Sequence, residues 1–281
     1  MAGKASVGEV RVGISGWRYP GWRGDFYPTG LPQRAELEYA ASRLTAIEIN
    51  GSFYSLQRPS SYAAWHDATP DDFVFAVKGG RYITHLLRLK GVDAALANFF
   101  ASGVLALRDK LGPILWQLPA NLRFEADVLD GFLARLPRTT SEAAELAARH
   151  DAKVPDDRAL TTAHADRPVR HALEFRSETF ADEAAYALLR EHGVACVLAD
   201  TAGRWPRVDV DTADFRYVRL HGDSELYASG YDGTSLDRYA DSAAGWARGG
   251  EDVFVFFDND AKGYAPHDAV GLIARLGDRR V

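Results

Sequence analysis

Eight short apolar runs are spaced along a chain of 281 residues, with helical patterning between them. They are VRVGIS from Val10, AIEIN from Ala46, FVFAVK from Phe73, PILWQ from Pro113, HALEFR from His171, ACVLAD from Ala195, FRYVRLH from Phe215 and VFVFFDN from Val253. Nearly continuous apolar runs of this length read as strands buried on both faces. The intervals predict helices over 34–44, 60–66, 92–107, 126–136, 180–192, 236–248 and 267–276. Strand–helix alternation implies parallel pairing through right-handed crossovers. Eight such units predict an α/β fold, a single (β/α)8 TIM barrel, and the chain length suits one.

Two intervals depart from the rhythm. Residues 141–169 insert an alanine-rich helix, SEAAELAARH, before the fifth strand, and TAGRWPRVDVDTAD replaces the sixth helix with a loop. No repeat or linker marks a second domain, so residues 9–277 are expected to form one domain, with flexible termini over 1–8 and 278–281.

Composition narrows the partners. A net charge of −6 is the wrong sign for a general duplex-binding surface. No apolar run reaches the roughly 20 residues that span a bilayer, and the amino-terminal segment has no apolar leader. The expectation is a cytoplasmic protein without a membrane partner or general nucleic-acid binding, of open oligomeric state. The lone cysteine, Cys196, lies within an apolar run and reads as a small core residue.

Alternation of side chains along a strand places the polar residues at the run ends on one face. Glu48 and Asn50 oppose Ile47 and Ile49; Glu174 and Arg176 oppose Leu173 and Phe175; Arg219 and His221 oppose Val218 and Leu220. Lys78, Gln117, Asp200 and Asn259 end other runs. Charges at strand ends are what the mouth of a parallel barrel presents, and barrel enzymes keep their chemistry there. Glu48 and Glu174 could divide acid and base roles, with His221 as a third proton-handling group. Lys78, Arg176 and Arg219 suit an anion. Asn50, Gln117, Asp200 and Asn259 would complete the polar lining. Aromatic residues after the first and second strands, Trp17 and Tyr54 among them, could stack on a sugar or a base. The same residues also suit a plainer role: an ion-pair layer capping the core, and aromatics that lock long loops.

The leading expectation is a hydrolase or lyase acting by acid/base catalysis on a small anionic or sugar-containing substrate at the carboxyl-terminal barrel mouth. No cofactor is expected. The carboxylates leave open a divalent metal, and with it a metal-dependent phosphodiesterase acting on single-stranded or damaged nucleic acid that stacks on Trp17 and Trp22. A third reading is a non-catalytic module that binds a metabolite or a protein segment.

GISGWRYPGW…FYP, EINGSFY, FAVKG…ITH, KLGPILWQLP, ALEFR, YVRLHG and VFFDND together resemble the "domain of unknown function 72", or YecE-like, family, from Val10 to about Leu276. The resemblance implies a TIM barrel and assigns no catalytic residue. Two positions depart from the family pattern: Ser177, where a histidine is common, and Asp258, where a second asparagine is common.

Overall fold

The computed structural model describes residues 7–278; the termini expected to be flexible, 1–8 and 278–281, lie outside them except for residues 7, 8 and 278. The fold is α/β, of the TIM-barrel class, with nine parallel strands. These are β1 (Val10–Ser15), β2 (Ala46–Ile49), β3 (Val74–Lys78), β4 (Leu111–Gln117), β5 (His171–Glu174), β6 (Ala195–Cys196), β7 (Leu198–Asp200), β8 (Phe215–Leu220) and β9 (Asp252–Phe257). The ninth strand comes from the run ACVLAD, which Val197 interrupts, so β6 and β7 are two pieces of the expected sixth strand.

Two compact units divide the chain. One comprises the segments through Ile47 and from Ala195 onward; the other is Glu48–Val194. In the first unit, β1 pairs with β9 from Val10↔Val253 to Ile14↔Phe257, so the first strand of the chain lies beside the last. Strand β9 pairs in turn with β8, and β8 with β7. Helices Gly233–Arg248 and Tyr264–Asp278 belong to this unit, and Asp232 caps the former by accepting a hydrogen bond from the Ser235 amide at 2.7 Å. Residues 201–214 contain no helix, as their composition predicts.

In the second unit β3, β4 and β5 form a parallel ladder. The register shifts between Phe75 and Val77, opposite Gly112 and Pro113, which accommodates a proline that has no amide hydrogen to donate. The alanine-rich helix expected before β5 is Thr140–Ala147, capped by Thr139. The helix expected over 92–107 ends at Ala101 instead, and a 3-10 segment, Val104–Lys110, follows. Gly103 makes the break: its φ is 113°, and a Cβ there would sit 2.4 Å from the Pro59 Cα.

Packing behind the strand ends of this unit centres on Trp116 of β4, which is wholly buried against Phe99, Phe132 and His171. His171 is saturated as a neutral ring: Trp116 Nε1 donates to its Nδ1 at 3.1 Å, and its Nε2 lies 2.8 Å from the Pro137 carbonyl. Burial therefore holds its pKa down, at about 4. The unfolded chain protonates this ring near the usual 6.5. Stability should be indifferent to the ring above that pH and fall, by up to about 3 kcal/mol, as pH drops from about 6.5 to about 4. Urea unfolding across this range tests it, and His171→Gln, which can keep both hydrogen bonds, should flatten the dependence. Gly79, just past β3, leaves no room for a side chain, since a Cβ would meet the Trp116 ring at 2.2 Å. Gly79→Ala should destabilise the protein by about 3 kcal/mol in the same assay.

Candidate functional site

The strand ends of the second unit gather most of the expected site residues. Lys78, Gln117 and Glu174 end β3, β4 and β5. Glu174 is 1% exposed, and its Oε1 accepts from Gln117 Nε2 at 2.8 Å and from Arg176 Nε at 3.1 Å. A buried carboxylate requires such partners, because removing a charge from water costs several kcal/mol. Arg176 lies two residues beyond β5, with its side chain mostly buried. Glu48 is fully buried within β2.

Asn50 lies just past β2, at the start of the short helix Gly51–Tyr54, and its Oδ1 is buried without a hydrogen-bond partner. That helix packs on the end of β3, where Ser52 Oγ donates to the Lys78 carbonyl at 2.7 Å. Phe53 covers the lysine, with Nζ 4.5 Å from the ring centroid, a cation–π contact that holds the ammonium in place. Tyr54 projects outward and is 69% exposed.

One residue of this cluster was not among the expected site residues. His85 comes from a single π-helical turn, Tyr82–Leu86, a distortion frequent at functional sites. Its ring makes an edge contact with Phe53 at 5.1 Å, and its Nδ1 lies 2.9 Å from the Thr84 hydroxyl. Burial, then the positive charges of Lys78, Arg176 and Arg81, push its pKa down to about 4, with Glu174 opposing. The imidazole is thus neutral at pH 7. Strand parity could not find His85, because it is not on a strand; the available signal was ITH, which Arg81 and Tyr82 separate from the Gly79–Gly80 turn.

The first unit holds a separate cluster. Arg219, at the carboxyl-terminal end of β8, is fully buried. Its Nη2 donates to Asp258 Oδ2 at 2.9 Å and to Ser15 Oγ at 3.3 Å. His221 Nδ1 lies 3.1 Å from the same Asp258 oxygen, and its Nε2 faces Arg219 Nη1 at 3.4 Å. Asp258, one of the two departures from the family pattern, thus joins both expected residues and is the second site residue that parity missed. Asp260 lies nearby, its pKa raised by burial and by the Asp258 charge.

Three expected residues of this unit point to other tasks. The Asp200 carboxylate accepts from the Tyr239 hydroxyl of helix Gly233–Arg248. Asn259 Nδ2 donates to Asp268 at 2.8 Å and to the Ser229 carbonyl at 2.9 Å, tying the loops after β8 and β9 to the last helix. Trp17 is only 6% exposed, and its carbonyl accepts from the Tyr27 hydroxyl at 2.7 Å. Trp22, 1% exposed, packs among Tyr19, Phe26 and Tyr27. Both indoles are therefore buried, and their faces are not open to a base. Cys196 is a core residue whose thiol burial pushes up to about 12.

Among the described residues, no group of three or more His, Cys, Asp or Glu side chains is placed to hold a metal ion, and no helix is long and apolar enough to cross a membrane.

Comparisons with known proteins agree with the fold. A DUF72 family protein from Thermotoga maritima superposes with a TM-score of 0.74 at 24% identity, over 96% of this chain and 99% of that one. A DUF72 family protein from Enterococcus faecalis does so with a TM-score of 0.71 at 16% identity, over 95% of each. At such identities the likeness speaks for the fold. In sequence, 129 residues are 29% identical to the UPF0759 protein YecE of Escherichia coli K12, so the match covers 46% of this chain and 44% of that relative's length. The UPF0759 protein YunF of Bacillus subtilis is 25% identical over 115 residues, 40% of its length. The family described as "Protein of unknown function DUF72" matches residues 11–281, and the chain belongs to it.

Proposed function

We propose that this protein is an enzyme, a hydrolase or lyase, that moves a proton on a small anionic substrate held at the strand ends of the Glu48–Val194 unit. The observation that carries this reading is the field around His85. Burial depresses this ring most, three cationic side chains, Lys78, Arg176 and Arg81, depress it further, and Glu174 opposes them. Without a ligand the ring is a weak base. An anion seated against Lys78 and Arg176 would offset the positive field and lift the His85 pKa toward neutrality, where general acid and base catalysis is most effective. Substrate binding would thus switch on the proton-handling group.

Each neighbour has a physical role in this reading. Arg176 offers a planar fork to an oxyanion, and Glu174 with Gln117 fixes the orientation of that fork. Lys78 supplies a point charge, held against Phe53. The buried Asn50 Oδ1 is an acceptor suited to a substrate hydroxyl or amide. Glu48 is the second carboxylate for acid/base work. His221 is assigned to the ion cluster of the other unit, because both its ring nitrogens face charged partners, Asp258 and Arg219.

Sulfate, a dianion throughout the relevant pH range, serves as the probe for the field. The His85 titration midpoint, followed by NMR from pH 3 to 7, should rise by about one unit or more in saturating sulfate. Lys78→Met and Arg176→Met should each raise the midpoint of the free protein and weaken the response to sulfate. A midpoint that ignores sulfate would remove the anion site. For catalysis, metabolites that raise the melting temperature should be turned over by the native protein, and bound without turnover by His85→Asn. A ligand bound but never converted would favour the non-catalytic module.

A further inference from the structure

Beside the polar cluster, within the same unit, lies a cavity of about 390 Å3. Its size is that of a small-molecule site. Its walls are largely apolar, with Phe53, Tyr54, Leu86 and Phe99 among them, while Arg81 and Lys153 add positive charge.

Exposure of these walls calls for an explanation. Tyr54 is 69% and Leu86 64% exposed; Tyr82 and Leu56, which also line the cavity, are exposed at 45% and 38%. Among the described residues, four of the seven exposed large hydrophobic side chains thus surround this one cavity. Scattered single exposures are ordinary, but a concentration of them around a concavity marks a binding surface. The aromatic rings offer flat faces. The one acidic side chain in the lining, Asp151, is engaged by Asn98 Nδ2 at 3.0 Å and by the Lys153 amide at 2.8 Å. Lys153 Nζ lies 4.4 Å from the Tyr82 ring centroid, so a cation is held at the rim.

Phe53 joins the two regions. It lines the cavity, and its ring also contacts Lys78 Nζ and His85. Gly80 and Arg81, which lead from β3 into the π-helical turn, line the cavity as well. Arg81 belongs to both regions, since its charge acts on His85 and its side chain lines the cavity, so a molecule whose anionic group meets Arg81 would place a directly attached group against Phe53 and into an apolar space.

We infer that the ligand of this site is an aromatic anion: a small molecule whose oxyanion is bonded to, or one atom removed from, a flat apolar ring that occupies the cavity lined by Phe53, Tyr54 and Leu86. This inference rests on the anion site proposed above and adds the chemistry of the group next to the charge. It separates the ligand from purely polar anions such as sugar acids and short dicarboxylates, which would leave the cavity unfilled.

Methyl phosphate and phenyl phosphate share a charged group and differ in the ring, so calorimetric titration with both tests the inference directly. Phenyl phosphate should bind about tenfold more tightly or better, as expected for burying one aromatic ring. Ala94, exposed at the cavity wall, provides the blocking variant: Ala94→Trp should abolish the advantage of phenyl phosphate and leave methyl phosphate affinity as it was. Leu86→Ala, also at an exposed position, should reduce the advantage without filling the space. Equal affinities for the two phosphates, or an advantage that survives both substitutions, would overturn this inference and spare the anion site. No binding of either phosphate would overturn both.

Discussion

A charge withdrawn from water at the end of a buried strand must find a partner, and that requirement organises both units of this protein. Glu174 and Arg219 are 1% and 0% exposed. Neither could stay charged in an apolar core at tolerable cost without hydrogen-bonded counterparts. Glu174 finds Gln117 from the neighbouring strand and Arg176 from just beyond its own. Arg219 finds Asp258, which follows the strand paired with its own. The strands thus do two things at once: their apolar stretches build the core, and their ends assemble groups that no single segment of chain could bring together.

Around Arg219 the charges close on themselves, since one Asp258 oxygen meets both Arg219 and His221. Such an arrangement suits rigidity, and its removal would leave costly buried groups. Around Glu174 the balance is tilted. Burial contributes most to the depression of His85, and the charges of Lys78, Arg176 and Arg81 add to it, with Glu174 opposing. A protein maintains such a tilt at some cost to its stability, as functional sites often do. That contrast is why the proposed chemistry is placed with Lys78, Arg176 and His85 and not with the other cluster.

Much of this was legible in the sequence, for a physical reason. Parallel strands buried on both faces are nearly continuous apolar runs, so the runs from Val10 to Val253 mark them, and the parity rule picks out Lys78, Gln117, Glu174 and Arg219. What parity could not supply lies off the strands. Arg176, Asn50 and His221 follow the same parity although they stand one or two residues beyond a strand end. His85 was missed because a π-helical turn carries it, and nothing in Tyr82–Leu86 distinguishes such a turn from an ordinary loop. Asp258 was read as a departure from a family pattern and not as a partner, because pairing between β8 and β9 is a tertiary fact. Asp200 and Asn259 each end an apolar run, and their partners include Tyr239 and Asp268 from helices, which strand parity does not foresee.

The aromatic residues teach the same lesson about exposure. Trp17 and Trp22 dominate the sequence as stacking candidates, yet both are buried, and the Trp22 ring packs against Tyr19, Phe26 and Tyr27. Phe53 and Tyr54, adjacent in a four-residue helix, divide their work instead. One ring covers a lysine and the other stands in solvent beside an apolar cavity. Consecutive residues of a helix point about 100° apart, so one ring can face the lysine while the other faces solvent. The proposed recognition of an apolar group next to a charge draws on that division: a cation shielded on one side by an aromatic ring, and an apolar surface still open on the other.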